Sequence, residues 1–269
     1  MTDKIIIKKK NVNQPAKIAV LCCDAPHHFY LLDQLHQHFP LSGIVMESDK
    51  NQMDWLWKKK RYKLWLARFY HGKRRKLLGH SKHRKQFFPK TFDLNQSAIP
   101  THYAFNINER ATAAFLNQIK PDITIVCGTM YIGKRVRKAG NTVINLHGGV
   151  LPEYKGNQCV FFALHEQNFD KIGATIHLVT DVLDGGFMIS IVKPNINSSD
   201  NDETLYAKSS KLCIEALIRL LHKYVDGEAL VALKQPLSDK KTFSHRDRTP
   251  WVDLKHLIAR WRGKHVLHS

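Results

Sequence analysis

Short apolar runs alternate with amphipathic segments along the chain. Residues 17–23 form an apolar run that ends in an Asp-Ala-Pro turn, which predicts a buried strand. Residues 28–39 then place apolar side chains at helical spacing, and residues 41–46 predict the next strand. Because parallel strands need a long crossover connection, this strand–helix–strand order predicts a parallel sheet.

The same alternation resumes in the second half of the chain. A helix is predicted from Asn108 onward, with an apolar stripe made of Ala111, Ala114, Phe115 and Ile119. Apolar spacing also predicts helices over 133–139, 158–166 and 200–224, and strands over 122–127, 142–146, 174–179 and 188–193. We therefore predict an α/β fold, with a mostly parallel twisted sheet flanked by helices, in one domain over residues 16–225.

Residues 50–90 interrupt this pattern with a basic, aromatic segment that we interpret as a helical insertion. One helical stripe is apolar and consists of Trp55, Tyr62, Trp65, Leu66 and Phe69. Basic residues fill much of the remaining surface, namely Lys58, Lys59, Lys60, Arg61 and Lys63. Three interpretations are open: the stripe packs on the domain, the segment lies on an anionic membrane surface, or it binds RNA.

The formal net charge of +19 is unevenly distributed, because residues 51–90 hold fourteen Lys and Arg and one acidic residue. A field of this sign attracts phosphates, nucleic acid or anionic lipid. Residues 1–15 are predicted to be a flexible basic arm, and residues 226–269 a C-terminal extension. Because neither a secretory signal nor a membrane-spanning run is recognisable, we expect a cytoplasmic protein, with peripheral attachment to the inner membrane surface as an option.

Polar residues that could carry chemistry follow the later strands. Asn145 and His147 lie two apart on a predicted strand, so their side chains share one face. An Asn amide can donate to an oxyanion, a His can transfer a proton near neutral pH, and a carboxylate such as Asp184 can orient that His. This set suits acyl transfer to an amine, although the spacing alone leaves a structural role open.

Two stretches of sequence carry a more specific signal. The run NLHGGVLPEYKG, followed by GATIHLVTDVLDGG, resembles the signature of formyltransferases that use 10-formyltetrahydrofolate. The resemblance is strong over residues 120–195 and implies a Rossmann-like formyltransferase fold. It also implies a catalytic set of Asn145, His147 and Asp184. In that set, Asn145 and His147 stabilise the oxyanion and shuttle the proton, while Asp184 tunes His147.

The resemblance also implies where the folate donor binds. Two segments of the family read the pterin partly through backbone groups, and they correspond here to Met130, Tyr131 and Ile132 and to Thr180, Asp181 and Val182. His177 matches a histidine found in part of the family, either touching substrate or packed structurally. No metal is implied, and the remaining histidines (His27, His28, His71, His80 and His83) are predicted to belong to a solvated basic surface.

The amine acceptor is the open question, because three branches of the family compete. The purine transformylases bind a ribonucleotide phosphate at a Gly-rich turn after the first strand, and this chain has no glycine in that turn. The tRNA enzymes carry a C-terminal β-barrel domain, for which the roughly forty-five residues after the last predicted helix leave little room. We therefore expect an amino sugar, nucleotide- or lipid-linked, used for surface polysaccharide. The alternatives are a methionyl-tRNA or glycinamide ribonucleotide formyltransferase, or a non-catalytic membrane- or RNA-binding member of the fold.

Overall fold

A nine-stranded sheet forms the centre of the protein, in the order β1-β10-β9-β8-β6-β5-β2-β3-β4. The computed structural model describes residues 3–9, 14–236, 238–239 and 241–262. The strands are β1 (Lys4–Ile7), β2 (Ile18–Cys22), β3 (Leu41–Met46), β4 (Thr101–Tyr103), β5 (Ile123–Cys127), β6 (Thr142–His147), β8 (Ala174–Leu178), β9 (Met188–Val192) and β10 (Leu230–Leu233). Two short strands, β7 (Lys155–Gly156) and β11 (Thr242–Phe243), pair separately.

Helices connect the strands and cover both faces of the sheet. They are α1 (Pro26–His38), α2 (Asp49–Lys58), α3 (Tyr62–Leu77), α4 (His80–Phe87), α5 (Arg110–Ile119), α6 (Lys134–Ala139), α7 (Cys159–His165), α8 (Asp202–Val225) and α9 (Pro250–Trp261). β6, β5, β2, β3 and β4 are parallel, whereas β8, β9, β10 and β1 add antiparallel strands. The predicted α/β fold with a mostly parallel Rossmann-like core is therefore confirmed, with an antiparallel edge.

The alternation of side chains along β2 shows why the sheet needs helices on both faces. Ile18 and Val20 belong to one apolar cluster together with residues of α1 and α8, whereas Ala19 and Leu21 belong to a second cluster with residues of α5 and α6. Every residue of β2 is buried. A strand buried on both faces reads as a continuous apolar run, which is what the sequence shows at this position.

The direction of the crossovers changes between β2 and β5. From β2 the chain proceeds through α1 to β3 on one side, whereas from β5 it proceeds through α6 to β6 on the other side. In open α/β sheets, the crevice outside the carboxyl ends of two such strands is the usual ligand site. The residues that follow β2 and β5, such as Asp24 and Gly128, are therefore placed at this crevice.

The ends of the chain differ from the sequence prediction. Residues 1–15 were expected to form a flexible arm, but β1 pairs antiparallel with β10 of the C-terminal extension, with Ile7 opposite Leu230. This pairing buries Ile7 and Leu230 against the core, which explains why residues 4–7 form a strand. The parts of the two terminal predictions that fall on residues 1–2, 10–13, 237, 240 and 263–269 lie outside the described residues.

The apolar stripe predicted for α5 is also wrong in detail. Thr112, Ala113 and Leu116 face the core, whereas Ala111 and Ala114 are exposed. Alanine contributes little apolar area, so its position does not determine which face of a helix is buried.

The segment 50–90 is helical, as predicted, and forms α2, α3 and α4. Its aromatic stripe packs on the domain only in part, because Trp55 and Trp65 are half-buried and the other three residues are exposed, which corrects the first of the three interpretations. Tyr62, Leu66 and Phe69 are 48%, 61% and 43% exposed, while Arg68 and Arg75 of α3 turn inward. In the described part of the chain, no helix has the length and apolar character needed to cross a bilayer.

Candidate active site

A cavity of about 780 Å³ lies at the carboxyl ends of β2, β5 and β6. Its walls come from the loops that follow these strands, from α3 and α4, and from the turns around Gly156 and Asp184. The size falls within the range of pockets that bind small molecules. The cavity therefore occupies the crevice that the sheet topology defines, and it contains Asn145, His147 and Asp184.

His147 ends β6 and is 6% exposed. Its Nε2–H donates to the carbonyl oxygen of Tyr154 at 2.7 Å, and its Nδ1 lies 3.6 Å from Oδ2 of Asp184. Because a carbonyl can only accept, the proton on Nε2 is fixed, and Nδ1 faces a carboxylate. A proton on Nδ1 would face the carboxylate of Asp184, so the ring can interact with both acceptors.

Asp184 is buried in a tight turn and adopts a left-handed backbone conformation, with φ of 51°. Its Oδ2 accepts the backbone N–H of Gly156 at 2.7 Å, and its own carbonyl accepts from the side chain of Gln235 at 2.7 Å. Burial would raise the pKa of Asp184, but the charge of His147 and the contacts with His177 and Gly156 lower it to about 2. Asp184 is therefore ionised throughout the neutral range.

Asn145 and His177 sit opposite each other on β6 and β8. The side-chain amide of Asn145 donates to Nε2 of His177 at 3.1 Å, because Nδ1–H of His177 donates to the carbonyl of Leu178 at 2.8 Å. Nε2 of His177 is also 3.6 Å from Oδ1 of Asp184. His177, which is 2% exposed, thus connects Asn145 to Asp184. One N–H of the Asn145 amide remains to donate elsewhere.

Gly149 allows the approach of His147 to Tyr154. A Cβ atom at position 149 would lie 2.6 Å from the carbonyl oxygen of Tyr154 and 2.8 Å from Nε2 of His147. Both distances are shorter than real Cβ contacts, so only glycine fits without moving the histidine. Of the two glycines that follow His147, Gly149 therefore leaves the space that the histidine ring needs.

The two segments predicted to bind the donor face each other at the cavity. Met130, Tyr131, Ile132, Thr180 and Val182 line it, whereas Asp181 does not. The carbonyl of Asp181 accepts the hydroxyl of Tyr131 at 3.0 Å, and its carboxylate pairs with Arg137. Several of the backbone groups already have partners. The N–H of Met130 donates to Glu47, the carbonyl of Tyr131 accepts from Asn108, and the carbonyl of Thr180 accepts from Arg137. The exposed side chains of Tyr131 and Val182 leave apolar surface beside the cavity.

Glu47 is a residue whose importance the sequence pattern does not reveal. It is fully buried after β3, and its carboxylate accepts from the backbone N–H groups of Ile107 at 2.8 Å and Met130 at 3.0 Å. It also accepts from the side chains of Gln52 and Asn106. Burial raises the pKa of Glu47, and these hydrogen bonds act against that shift. Glu47 therefore fixes the loop that carries Met130, Tyr131 and Ile132.

One face of α3 forms a wall of the cavity. The lining residues Leu64, Arg68, His71 and Arg75 recur at intervals of three and four, so they share one side of the helix. The sequence contains this spacing, but a basic helical face is usually solvated, so the spacing alone does not predict a site. In the structure, this face of the insertion belongs to the site.

Most arginines of the cavity are neutralised by acidic residues. The ion pairs are Arg68–Asp49, Arg74–Asp202, Arg74–Asp253, Arg84–Glu203, Arg248–Asp202 and Arg248–Asp253. The side chains of Arg61 and Arg75 have no hydrogen bond or ion pair with another described residue. Arg61 is exposed and lies over the ring of Trp55, whereas Arg75 is half-buried. Burial and the neighbouring charge of Arg84 lower the pKa of Arg75.

Several histidines predicted to lie on a solvated surface are buried at the cavity instead. His27, His28 and His71 are 5%, 3% and 2% exposed, because α1 and α3 turn them toward the strand ends. Burial lowers the pKa of His28 to about 4 and that of His245 to about 3. Burial and the neighbouring His28 and Arg84 lower the pKa of His27 well below its ordinary value. These rings are therefore neutral, polar walls.

The site offers no arrangement suited to a metal ion. Across the described ranges, no three His, Cys, Asp or Glu side chains are grouped so that they could hold one.

Comparisons with known proteins identify the family of the chain. The profile of the family described as formyl transferase matches residues 71–221. A methionyl-tRNA formyltransferase of Listeria welshimeri is 32% identical over 122 residues, which cover 45% of this chain and 38% of the relative. The chain thus spans less than half the length of this curated relative.

Solved structures show a similar fold at low sequence identity. A sugar N-formyltransferase from a Shewanella species has a TM-score of 0.55 at 11% identity, covering 90% of this chain and 86% of the other. A phosphoribosylglycinamide formyltransferase from Anaplasma phagocytophilum has a TM-score of 0.53 at 16% identity, covering 86% of this chain and 98% of the other. With the profile matching more than half of its residues, the chain belongs to the formyl transferase family.

Proposed function

We propose that this protein transfers a formyl group from 10-formyltetrahydrofolate to the primary amine of a phosphorylated amino sugar, nucleotide- or lipid-linked. The observation that carries the proposal is the connected set of Asn145, His177, Asp184 and His147 at the wall of one cavity. Family membership supports formyl transfer, and the unpaired Arg75 supports an anionic acceptor.

The donor supplies a formyl carbon bonded to nitrogen. The two segments around Tyr131 and Val182 fit such a molecule, because their side chains are 46% and 67% exposed beside the cavity and could flank a flat ring system. Met130, Tyr131, Ile132, Thr180, Asp181 and Val182 would hold the donor, and Glu47 would keep the first of these segments in place.

The protein's own residues supply charge stabilisation and proton transfer. The remaining N–H of Asn145 would donate to the formyl oxygen as it gains negative charge, and the positive charge of a protonated His147 would stabilise the same oxygen. Asp184, ionised and buried, stabilises the cationic form of His147 through Nδ1. As the amine nitrogen bonds to the formyl carbon it must lose a proton, and the folate nitrogen must gain one as its own bond to that carbon breaks. His147, neutral before the attack, would accept the first proton, become the cation, and return the proton to the leaving nitrogen.

An anion on the acceptor has a matching position in the cavity. The charge of Arg84 of α4 lowers the pKa of Arg75 of α3, and both arginines lower the pKa of His27 in the first turn of α1. Only Arg84 has a carboxylate partner, Glu203, at 3.0 Å. A phosphate beside Arg75 would also lie near the N-terminus of α1, where helices favour anions.

A panel of amine acceptors tests the proposal. Purified protein is incubated with 10-formyltetrahydrofolate and, separately, with an amino sugar, its phosphorylated and nucleotide-linked forms, glycinamide ribonucleotide and methionyl-tRNA, while tetrahydrofolate release is recorded. We expect release with the phosphorylated amino sugars. Release only with methionyl-tRNA or glycinamide ribonucleotide would contradict the acceptor assignment. If none of the amines causes tetrahydrofolate release, the result would favour a non-catalytic member of the fold.

Substitution of Arg75 separates anion binding from chemistry. We expect Arg75→Gln to raise the acceptor KM by roughly tenfold with little change in kcat, because a single charged hydrogen bond contributes about 1.5–3 kcal/mol. Arg219→Gln, on an exposed face of α8, is the matched control. An unchanged acceptor KM in Arg75→Gln would remove Arg75 from the acceptor site.

A further inference from the structure

The helix α3 turns its polar face inward and its apolar face outward, unlike an ordinary surface helix. Its inner face carries Arg68, His71 and Arg75, which line the cavity. Its outer face carries apolar side chains at intervals of three to eight residues, namely Tyr62, Leu66, Phe69 and Leu77, which are 48%, 61%, 43% and 88% exposed. A surface helix normally places such residues against the core. Leaving them in water is unfavourable unless another phase or partner covers them.

The helix α9 shows the same inversion. Asp253 and His256 are 7% and 4% exposed and face inward. The outward residues are apolar: Trp251, Leu254, Leu257, Ile258 and Trp261 are 61%, 45%, 56%, 40% and 87% exposed. Two neighbouring helices that both turn apolar residues outward indicate a shared surface rather than an isolated exposed side chain.

Contacts between α3 and α9 make their outer faces neighbours. The hydroxyl of Tyr70 donates to Oδ2 of Asp253 at 2.7 Å, and Nε of Arg74 lies 3.1 Å from the same oxygen. Asp253 also pairs with Arg248 at 2.8 Å. The polar side of each helix is therefore used to join the two helices and the cavity wall, which leaves the apolar sides together on the outside.

Tryptophan and lysine are concentrated at this surface. All five tryptophans of the chain lie in α2, α3 and α9. Trp57, Trp65 and Phe69 form a series of ring contacts, with centroids 5.2 Å and 5.3 Å apart. Exposed lysines border it, namely Lys58, Lys59, Lys60, Lys63, Lys73, Lys76 and Lys255. Aromatic and aliphatic side chains bordered by lysine are typical of helices that lie in the headgroup region of a bilayer.

We propose that the outer faces of α3 and α9, with Trp57 of α2, form a docking face for an anionic lipid bilayer. The aliphatic residues argue against RNA as the partner, because Leu66, Leu77 and Ile258 have no favourable contact to make with a phosphate backbone. A second copy of the chain would bring lysines against lysines, which charge repulsion opposes. An anionic bilayer matches both the apolar residues and the charge of the lysines that border them.

The docking face has a direct spatial relation to the cavity. Arg75 and Leu77 are two residues apart on α3, with Arg75 at the cavity and Leu77 outside. The cavity wall would therefore lie about one helix diameter, roughly 10 Å, from the headgroups. Lipid docking does not depend on the proposed reaction, and it can be measured without donor or acceptor.

Vesicle binding tests the proposal. The full chain is mixed with vesicles of phosphatidylcholine, with or without phosphatidylglycerol, and followed by co-sedimentation and tryptophan emission. We expect binding to vesicles that contain phosphatidylglycerol, a blue shift of the emission, and weaker binding at high salt. Because every tryptophan lies in α2, α3 or α9, the emission reports on the helices of this face.

Paired substitutions identify the surface. We expect Leu66→Ser with Phe69→Ser, and separately Leu254→Ser with Leu257→Ser, to weaken binding by roughly tenfold or more. Leu233→Ser on β10 is the matched control, because Leu233 is 55% exposed and lies outside the docking face. Circular dichroism verifies that each variant is folded. If the α3 double variant does not fold, the α9 double variant tests the proposal.

Three results would overturn the proposal. The first is unchanged vesicle binding by both double variants, and the second is binding without a blue shift. The third is a wild-type protein that stays in the supernatant while it binds RNA or forms dimers through α3 and α9.

Discussion

At the residue scale, the site depends on how four polar side chains are connected. Asp184 contacts His147 and His177, and His177 receives a hydrogen bond from Asn145. The spacing of Asn145 and His147 on one strand predicted that they share a face. The function of His177 could not be predicted in the same way, because its partner Asn145 lies on β6 and the pairing of β6 with β8 is a tertiary property.

His177 is expected to act as a positioning residue. His177→Leu leaves the amide of Asn145 without its acceptor, so we expect kcat to fall by roughly 10- to 100-fold, with KM for donor and acceptor within about twofold. His177→Gln retains an acceptor oxygen and is expected to restore part of kcat. Equal losses in the Leu and Gln variants, accompanied by a lower melting temperature, would indicate a packing role alone.

At the element scale, the loop after β5 is held by a residue from another strand. Glu47, which follows β3, accepts the backbone N–H groups of Met130 and Ile107. The sequence predicted both strands correctly, since each is an uninterrupted apolar run. It did not predict that a buried carboxylate connects their loops, because a single Glu after a strand is most often solvated.

Loss of the Glu47 carboxylate is expected to loosen the donor segment. Glu47→Gln replaces one acceptor oxygen with an NH₂ group that faces a backbone N–H. We expect the donor KM to rise by roughly tenfold, with the acceptor KM little changed, because about 1–3 kcal/mol is lost when a buried partner is left unpaired. Glu109→Gln, whose carboxylate contacts His102 near the surface, is the control. A donor KM equal to that of the wild type would show that the segment holds its shape without Glu47.

At the scale of the whole molecule, the insertion of residues 50–90 is part of the site and not an appendage. Its helical character was predictable from spacing, but its orientation was not. An aromatic stripe normally marks the buried face of a helix, and here the basic side of α3 turns inward because acidic residues of α2, α8 and α9 pair with Arg68 and Arg74. The edge strand β1 was missed for a related reason, since its partner β10 lies far along the chain.

The buried histidines make stability depend on pH. His28 has a pKa of about 4 and His245 of about 3 in the folded protein, below the ordinary value of 6.5. Their stabilising contribution is therefore complete above about pH 6.5 and is lost as the pH falls from 6.5 toward 4. Asp202 acts in the opposite direction, since burial raises its pKa to about 6, and it offsets part of the loss.

We expect the melting temperature to fall as the pH is lowered from about 7 to about 5. Each of His28 and His245 accounts for a loss of about 2 kcal/mol at the lower pH. Melting curves of the wild type and His28→Gln test this, and the variant is expected to show a shallower dependence on pH. A melting temperature that stays constant across this range would contradict the assignment of neutral, buried histidines.

The central claim is that His147, held by Asp184, performs formyl transfer in this cavity. Its most direct test is the rate of tetrahydrofolate release from 10-formyltetrahydrofolate in the presence of the amine panel, compared between the wild type and His147→Ala. His36→Ala, on the exposed face of α1, is the control. We predict release by the wild type and the control, and a rate lower by about 10³-fold or more in His147→Ala. An unchanged rate in His147→Ala would contradict the account.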